Sequence, residues 1–216
     1  MNERAARMKP IGKDLKLHIF FLIGLAGIFI WSLIGCFDLF TWTLEAFPVI
    51  LGGAILIVVY RRFRFTNLVY LLIWFHAIIL LIGAHYTYAR MPLFNWIRDT
   101  FELSRNHYDR LGHFAQGFVP AIIAREVFWR KSPLKGSRWL GFIVVSFCLA
   151  FSALFEMFEW LVAVIAKEDA TSYLATQGDV WDTQWDMFFC LIGSIVSLLI
   201  LSRLHDKALK KVVSPV

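Results

Sequence analysis

Residues 67–84 read NLVYLLIWFHAIILLIGA. His76 is the only His, Asp, Glu, Lys or Arg in this run, and about 20 mostly apolar residues are what an α-helix needs to cross a bilayer core. Outward from this stretch, further runs of the same kind lie at 17–36, 42–60, 111–128, 139–165 and 187–204. No period-two alternation competes, and the runs exceed barrel strands of about 9–11 residues. Composition agrees. Apolar residues make up 59% of the 216 and charged residues 18%, against a usual ~45–50% and ~25%. Mean hydropathy is +0.64. A soluble chain of this size leaves roughly 30% of its surface in water and has nowhere to hide 21 Phe and nine Trp. The expected fold is all-α: one integral membrane domain, 1–216, with about six transmembrane helices. Disordered, collagen-like, disulfide-scaffold and nucleic-acid-binding readings are excluded. The net charge of +6 belongs to membrane orientation, not to nucleic acid.

Seventeen of the 22 Lys and Arg fall in alternate loops: around Arg4, Arg7, Lys9, Lys13 and Lys16, at Arg61, Arg62 and Arg64, from Arg125 to Arg138, and from Arg203 to Lys211. The positive-inside bias therefore predicts both termini in the cytoplasm. Leu33-Ile34-Gly35-Cys36 fits a bacterial lipoprotein cleavage pattern. Cleavage there would leave five spans and break the charge alternation, so Cys36 reads better as a small apolar residue. Cys36, Cys148 and Cys190 show no metal or redox spacing.

Ionisable side chains at bilayer depth are costly and usually mark function. Given this topology, they gather at the outer end. Span three ends at His85 and Tyr86. Span four opens with His107, Asp109 and His113, and Asp109, His113 and Gln116 share one helical face. Span five carries Glu156 and Glu159 in its outer half. Asp179, Asp182 and Asp186 share a face if span six begins early enough. Blander readings apply elsewhere: His76 as a hydrogen-bonded packing histidine, His18 and His205 as solvated helix ends, and Asp38, Glu45, Glu168 and Asp169 as loop solvation. Asp109 and Asp179 can also be ordinary helix-start residues, and a structural polar network remains an alternative for the whole cluster.

Imidazole with carboxylate suits Zn, Mn or Fe, and carboxylate alone suits Mg. Such an ion would relieve crowded acids and activate water or polarise a phosphoryl or carbonyl oxygen. Without metal, the same set can run acid–base chemistry through separated pKa values. No His-Glu-x-x-His, nucleophile elbow or Gly-rich phosphate loop is present.

Gly83-Ala84-His85-Tyr86-Thr87-Tyr88, the run from Asn106 to Phe114, and the run from Gln177 to Asp186 closely resemble the YjdF-type family of bacterial inner-membrane proteins. The resemblance implies location and topology but no reaction. A looser resemblance is to VanZ-like membrane proteins. Asp109-Arg110-x-x-His113-Phe114 matches their Asp-Lys-x-x-His-Phe apart from Arg for Lys. Glu156-x-x-Glu159 stands for their Glu-x-x-Gln, and Asp182-x-x-x-Asp186 for their Asp-x-x-x-Asn. These departures make the site more acidic, which favours a cation. The likeness implies a site at Asp109, His113, Glu156, Glu159, Asp182 and Asp186.

The leading expectation is an inner-membrane protein with a periplasm-facing pocket, acting in metal-assisted hydrolysis or group transfer on an envelope lipid or lipid-linked precursor with an anionic head group. His113, Asp109, Glu156 and Glu159 are the expected catalytic groups. Asp182, Asp186, Glu159, His113 and Asp179 are the expected metal ligands, with His85, His107, Gln116 and Tyr86 in reserve. A non-catalytic binding or stress-resistance protein is the main alternative. A small transporter, stepping through His76 and Glu126, is a third.

Overall fold

The computed structural model describes residues 12–167 and 171–213. The order is α1 (Gly12–Leu33), α2 (Leu39–Val59), α3 (Asn67–Tyr86), a 3-10 turn (Tyr88–Arg90), α4 (Pro92–Thr100), α5 (Tyr108–Lys131), α6 (Trp139–Ala166), α7 (Thr171–Leu174) and α8 (Asp182–Val213). No strand occurs among the described residues. Five of these helices, α1, α2, α3, α6 and α8, are long and apolar enough to cross a membrane.

Each helix begins where the local chemistry allows. The Asp38 carboxylate accepts the Thr41 N–H at 2.7 Å and so caps α2. Thr66 caps α3 in the same way, accepting from Val69. Gly35 adopts φ +68°, a conformation glycine takes freely, and α1 therefore stops at Leu33 instead of running to residue 36. The starts of α5 and α8 also lie earlier than hydropathy places them. Their polar first turns are paired inside the protein, so they need not leave the helix to find water. As a result Asp182 and Asp186 sit on α8, while Asp179 belongs to the preceding loop. The charges at Arg4, Arg7, Lys9, Glu168 and Asp169 lie outside the described residues.

The helices pack as two sub-bundles. In one, α1 and α2 both lie against α3. In the other, α5, α6 and α8 pack on one another. The two join along α3 and α5. Helix α5 is the least apolar of the long helices and among the most enclosed: eleven of its 24 residues are buried, against five of 28 in α6. Polar side chains are tolerable there because neighbouring helices stand between them and lipid. The α5–α8 contact is backbone to backbone. A methyl group on Gly117 would strike the Cys190 carbonyl, and one on Gly193 would strike the Phe114 carbonyl. Small residues at such crossings let helices gain packing where lipid supplies no hydrophobic drive.

Two histidines expected in water are not there. His205 is fully buried. Its Nε2 lies 3.1 Å from Glu126 and its Nδ1 2.9 Å from Arg125. His18 is half-buried between Tyr60, at 2.8 Å, and Asn67, at 3.0 Å. Glu126 also accepts from the Thr66 backbone (3.0 Å), the Thr66 hydroxyl (2.8 Å) and Arg130 (2.8 Å). Both oxygens are satisfied, which makes this cluster a closed structural tie between α3, α5 and α8.

Candidate functional site

At the opposite end of the bundle the polar groups are less completely paired. A cavity of about 370 Å³ lies in the seam between the sub-bundles, within the ~300–1,000 Å³ usual for ligand sites. Glu45, His76, Tyr88, Asp109, His113, Gln116, Glu159 and Tyr173 supply its polar lining. The remainder is apolar, from Phe47, Leu51 and Ile55 of α2 and Leu80 of α3 to Phe151, Leu154 and Phe158 of α6.

The face of α5 predicted from its spacing forms the head of the site. His113 Nδ1 lies 3.0 Å from Gln116 Oε1. With that oxygen accepting, the ring proton of neutral His113 sits on Nδ1. Its Nε2 then presents a lone pair toward Asp109, whose Oδ1 is 3.6 Å away. Asp186 reaches the same place from α8. Asp109, His113 and Asp186, all buried, each offer one ligand atom within 4.8 Å of the others. Asp186 Oδ1 has no hydrogen-bond partner. Glu156 stands behind the ring, 3.6 Å from His113 Nδ1, and is not part of the cavity lining. Glu159 is.

Asp182 and Asp179, predicted as ligands, are held otherwise. Arg105, 4% exposed, makes a short ion pair with Asp182. It also lies 3.5 Å from Asp179 and 3.7 Å from Asp109, and donates to the Ala175 carbonyl at 3.2 Å. Arg110 completes the arrangement, 2.7 Å from Asp179, with its guanidinium over the Trp185 ring. The Trp181 N–H, followed by these two arginines, holds the Asp179 carboxyl below its ordinary range. The same loop is sewn to α5 by a reciprocal pair: Gln177 Oε1 accepts the Asn106 N–H, and Gln177 Nε2 donates to the Asn106 carbonyl, both at 2.9 Å.

The reserve candidates separate from the cavity. His85 lies 3.2 Å from the Ser32 carbonyl and stacks on Trp31. Tyr86 packs edge-on against the same indole. His107 occupies the N-cap position of α5; burial, then Arg110 and Arg105, push its pKa below the usual imidazole value. Gln116 does line the cavity.

Three residues depart from the sequence reading. Glu45 is not a solvated loop acid. It is 5% exposed, on α2, and lines the cavity. The Tyr88 N–H lies beside it, yet neither carboxylate oxygen is in a hydrogen bond of normal geometry. His76 also lines the cavity, and its Nε2 is buried without a partner. Arg105, which no motif in the sequence singles out, is buried among Asp109, Asp179 and Asp182. Glu45 was detectable, since it lies within the run 42–60 and a carboxylate inside an apolar run is a signal in itself. Burial pushes the phenols of Tyr88 and Tyr173 above their ordinary value, so both face the cavity as neutral hydroxyls. The Tyr88 ring is wedged where methyl groups on Gly83 and Gly112 would collide with it.

With this geometry in view, the chain was compared with known proteins. It matches the sequence profile of the family described as "Predicted membrane protein (DUF2238)" over residues 17–207. The chain belongs to the DUF2238 family. That match spans every residue of the cavity and of the arginine cluster. The chain is also 42% identical, over 184 residues covering 85% of its own length and 88% of the relative's, to the Escherichia coli (strain K12) protein named "Inner membrane protein YjdF". The YjdF-type resemblance read from the three motifs therefore holds. No solved structure matches this DUF2238 protein.

Proposed function

We propose that this chain is an inner-membrane enzyme that uses a divalent ion, Zn, Mn, Fe or Mg, in hydrolysis or group transfer on an envelope lipid or lipid-linked precursor. The placement follows the name of the E. coli relative and the bias of Lys and Arg. Helix α5 then makes a sixth crossing, both termini lie in the cytoplasm, and the acid-rich end faces the periplasm.

The observation that carries the reading is the Asp109–His113–Asp186 group, of which Asp109 and His113 line the cavity and Asp186 stands beside them from α8. One imidazole and two carboxylates are a donor set suited to such ions, and three protein ligands leave a position open. The orphaned Asp186 Oδ1 fits the same role. A bound ion supplies an activated water or a polarised oxygen. The protein's part is positional. Gln116 fixes the His113 tautomer, Arg105 steadies Asp109 from behind, and Glu159 faces the cavity as an acid–base group. Glu156 supports the imidazole from its far side.

Metal analysis of the detergent-purified protein is the test. The parent retains close to one equivalent of metal, and His113→Ala and Asp186→Ala lose it. A parent that stays metal-free after incubation with each candidate ion ends the metal reading. Lipid profiles of a deletion strain test the substrate class: accumulation of one envelope lipid or precursor supports catalysis, and an unchanged profile overturns it. A second reading, non-catalytic binding of a cationic ligand, is favoured by one observation: the cavity lining includes no Lys or Arg.

A further inference from the structure

The cavity has a mouth in an unusual place. Phe47, Leu51 and Ile55 of α2, and Phe151, Leu154 and Phe158 of α6, line it. The same side chains are 37–64% exposed on the outer surface of the bundle. A residue that borders a cavity and is also exposed marks an opening, and these six lie within membrane-crossing helices. The opening therefore faces lipid, not water. From Phe47 to Ile55 it extends about 12 Å along α2, at a rise of about 1.5 Å per residue. Phe47 and Phe158 stack across it, with ring centroids 6.5 Å apart. Gly52 lies on the α2 side, and a methyl group added there would meet no atom within 4 Å.

The polar head of the cavity is rich in acids. Glu45, Asp109 and Glu159 line it, and no Lys or Arg does. Arg105 and Arg110 are already engaged with Asp179 and Asp182. With an ion at Asp109, His113 and Asp186, the carboxylates of Glu45 and Glu159 still face the space. The Tyr88 N–H is beside the buried Glu45 carboxylate, but neither oxygen makes a hydrogen bond of normal geometry, and a buried carboxylate so poorly paired is costly. A group that brings both positive charge and N–H donors answers that need.

We propose that the α2–α6 cleft is a lateral doorway admitting a bilayer phospholipid with an amine-bearing head group, its acyl chain lying in the apolar cleft and its amine against Glu45 and Glu159. This deepens the proposed reading of the same pocket, and replaces the anionic head group expected from sequence with one that carries a cation.

The full chain is reconstituted in phosphatidylglycerol vesicles containing a trace of phosphatidylethanolamine with a photoreactive acyl chain. Labelled positions are then mapped. The expected result is label at Leu80 and Pro120, which line the interior of the cavity, at least fivefold above that from a phosphatidylglycerol probe of identical chain. Gly52→Phe, which fills the doorway, and Glu45→Gln, which replaces the carboxyl with an amide that cannot pair with an ammonium, each reduce interior label at least fivefold. Ile57→Phe, on the lipid-facing side of α2 (75% exposed), leaves it unchanged. Label confined to outward positions such as Ile57 and Leu199 overturns the doorway. Equal interior label from the two probes overturns the amine preference. Metal content of the same samples reads the ion separately. Interior label in metal-free protein keeps the doorway while removing the ion, and metal-loaded protein without interior label does the reverse.

Discussion

His113 shows how much one neighbour can decide. Its Nδ1 is directed to Gln116, which leaves Nε2 for the Asp109 side. Partners that fix a ligand's tautomer typically matter 10–100-fold in metal affinity. Gln116→Leu is therefore expected to weaken metal binding by about that factor while leaving thermal stability near the parent's, as read by competition with a chelator. Arg105 works in the opposite direction, through charge. Removing one partner of a buried ion pair typically costs about 3–5 kcal/mol, because the other is left uncompensated. Arg105→Ala, which strands Asp182 and Asp109, should lose that much stability in detergent unfolding, whereas Asp99→Ala, in the exposed pair with Arg98, should change it by less than about 1 kcal/mol. Two titrating groups outside the spans set the response to acid. The folded state holds His107 below its ordinary 6.5. Its contribution is complete above that value and declines as pH falls beneath it, since the unfolded chain takes the proton first. The Asp179 carboxyl lies below its ordinary 3.8, so its contribution fades only when pH falls through that lower range. Amide exchange over residues 105–110 should be slow at neutral pH, rise modestly below 6.5 and rise again below 3.8. Exchange that is flat from pH 7 to 3 would contradict this assignment.

At the scale of the element, the glycines sort into two kinds. Gly117 and Gly193 stand where helices touch backbone to backbone, whereas Gly52 faces open space. Gly193→Ala is expected to destabilise the protein by at least the ~1–3 kcal/mol of ordinary overpacking. Gly52→Ala should be neutral or stabilising by up to about 1 kcal/mol, because alanine is the better helix former. Paired thermal melts in one detergent would check both. The helices themselves were legible because a run such as residues 67–84 admits few other structures. Their ends were not. Asp182 and Asp186 look like loop residues until Arg105 and the α5 face supply partners, and such partners come from 70 or more positions away. The α5 face was readable for a simpler reason: Asp109, His113 and Gln116 are local, and helical spacing alone brings them together. Glu45 was legible from its place inside the run 42–60, whereas its facing the same cavity as Asp109 came only with the packing of the helices. Helix α4 was not anticipated either; it is short, with no buried residue and with Leu93 and Trp96 exposed, which suits a segment lying in the membrane interface.

For the whole molecule, the distribution of charge makes a prediction about sidedness. Glu102→Cys, at the acid-rich end, should react with a membrane-impermeant thiol reagent in intact cells with an opened outer membrane, once the native cysteines are replaced. Lys207→Cys should react only after the inner membrane is permeabilised. The opposite pattern would place the pocket toward the cytoplasm and remove an envelope substrate. The two ends also differ in completeness. Around Glu126 and His205 both carboxylate oxygens and both ring nitrogens are occupied. Around Glu45 and Asp186, oxygens remain orphaned.

The Tyr88 ring, lodged against Gly83 of α3 and Gly112 of α5, acts as a pin through the spine of a book whose covers are the two sub-bundles. Sliding α3 along α5 by a helical turn would have to pull the pin out. Swinging the covers apart would not, but the short helix α7 touches both α2 and α6 and fastens part of the fore-edge like a clasp. A passage between the covers has to run beside that clasp.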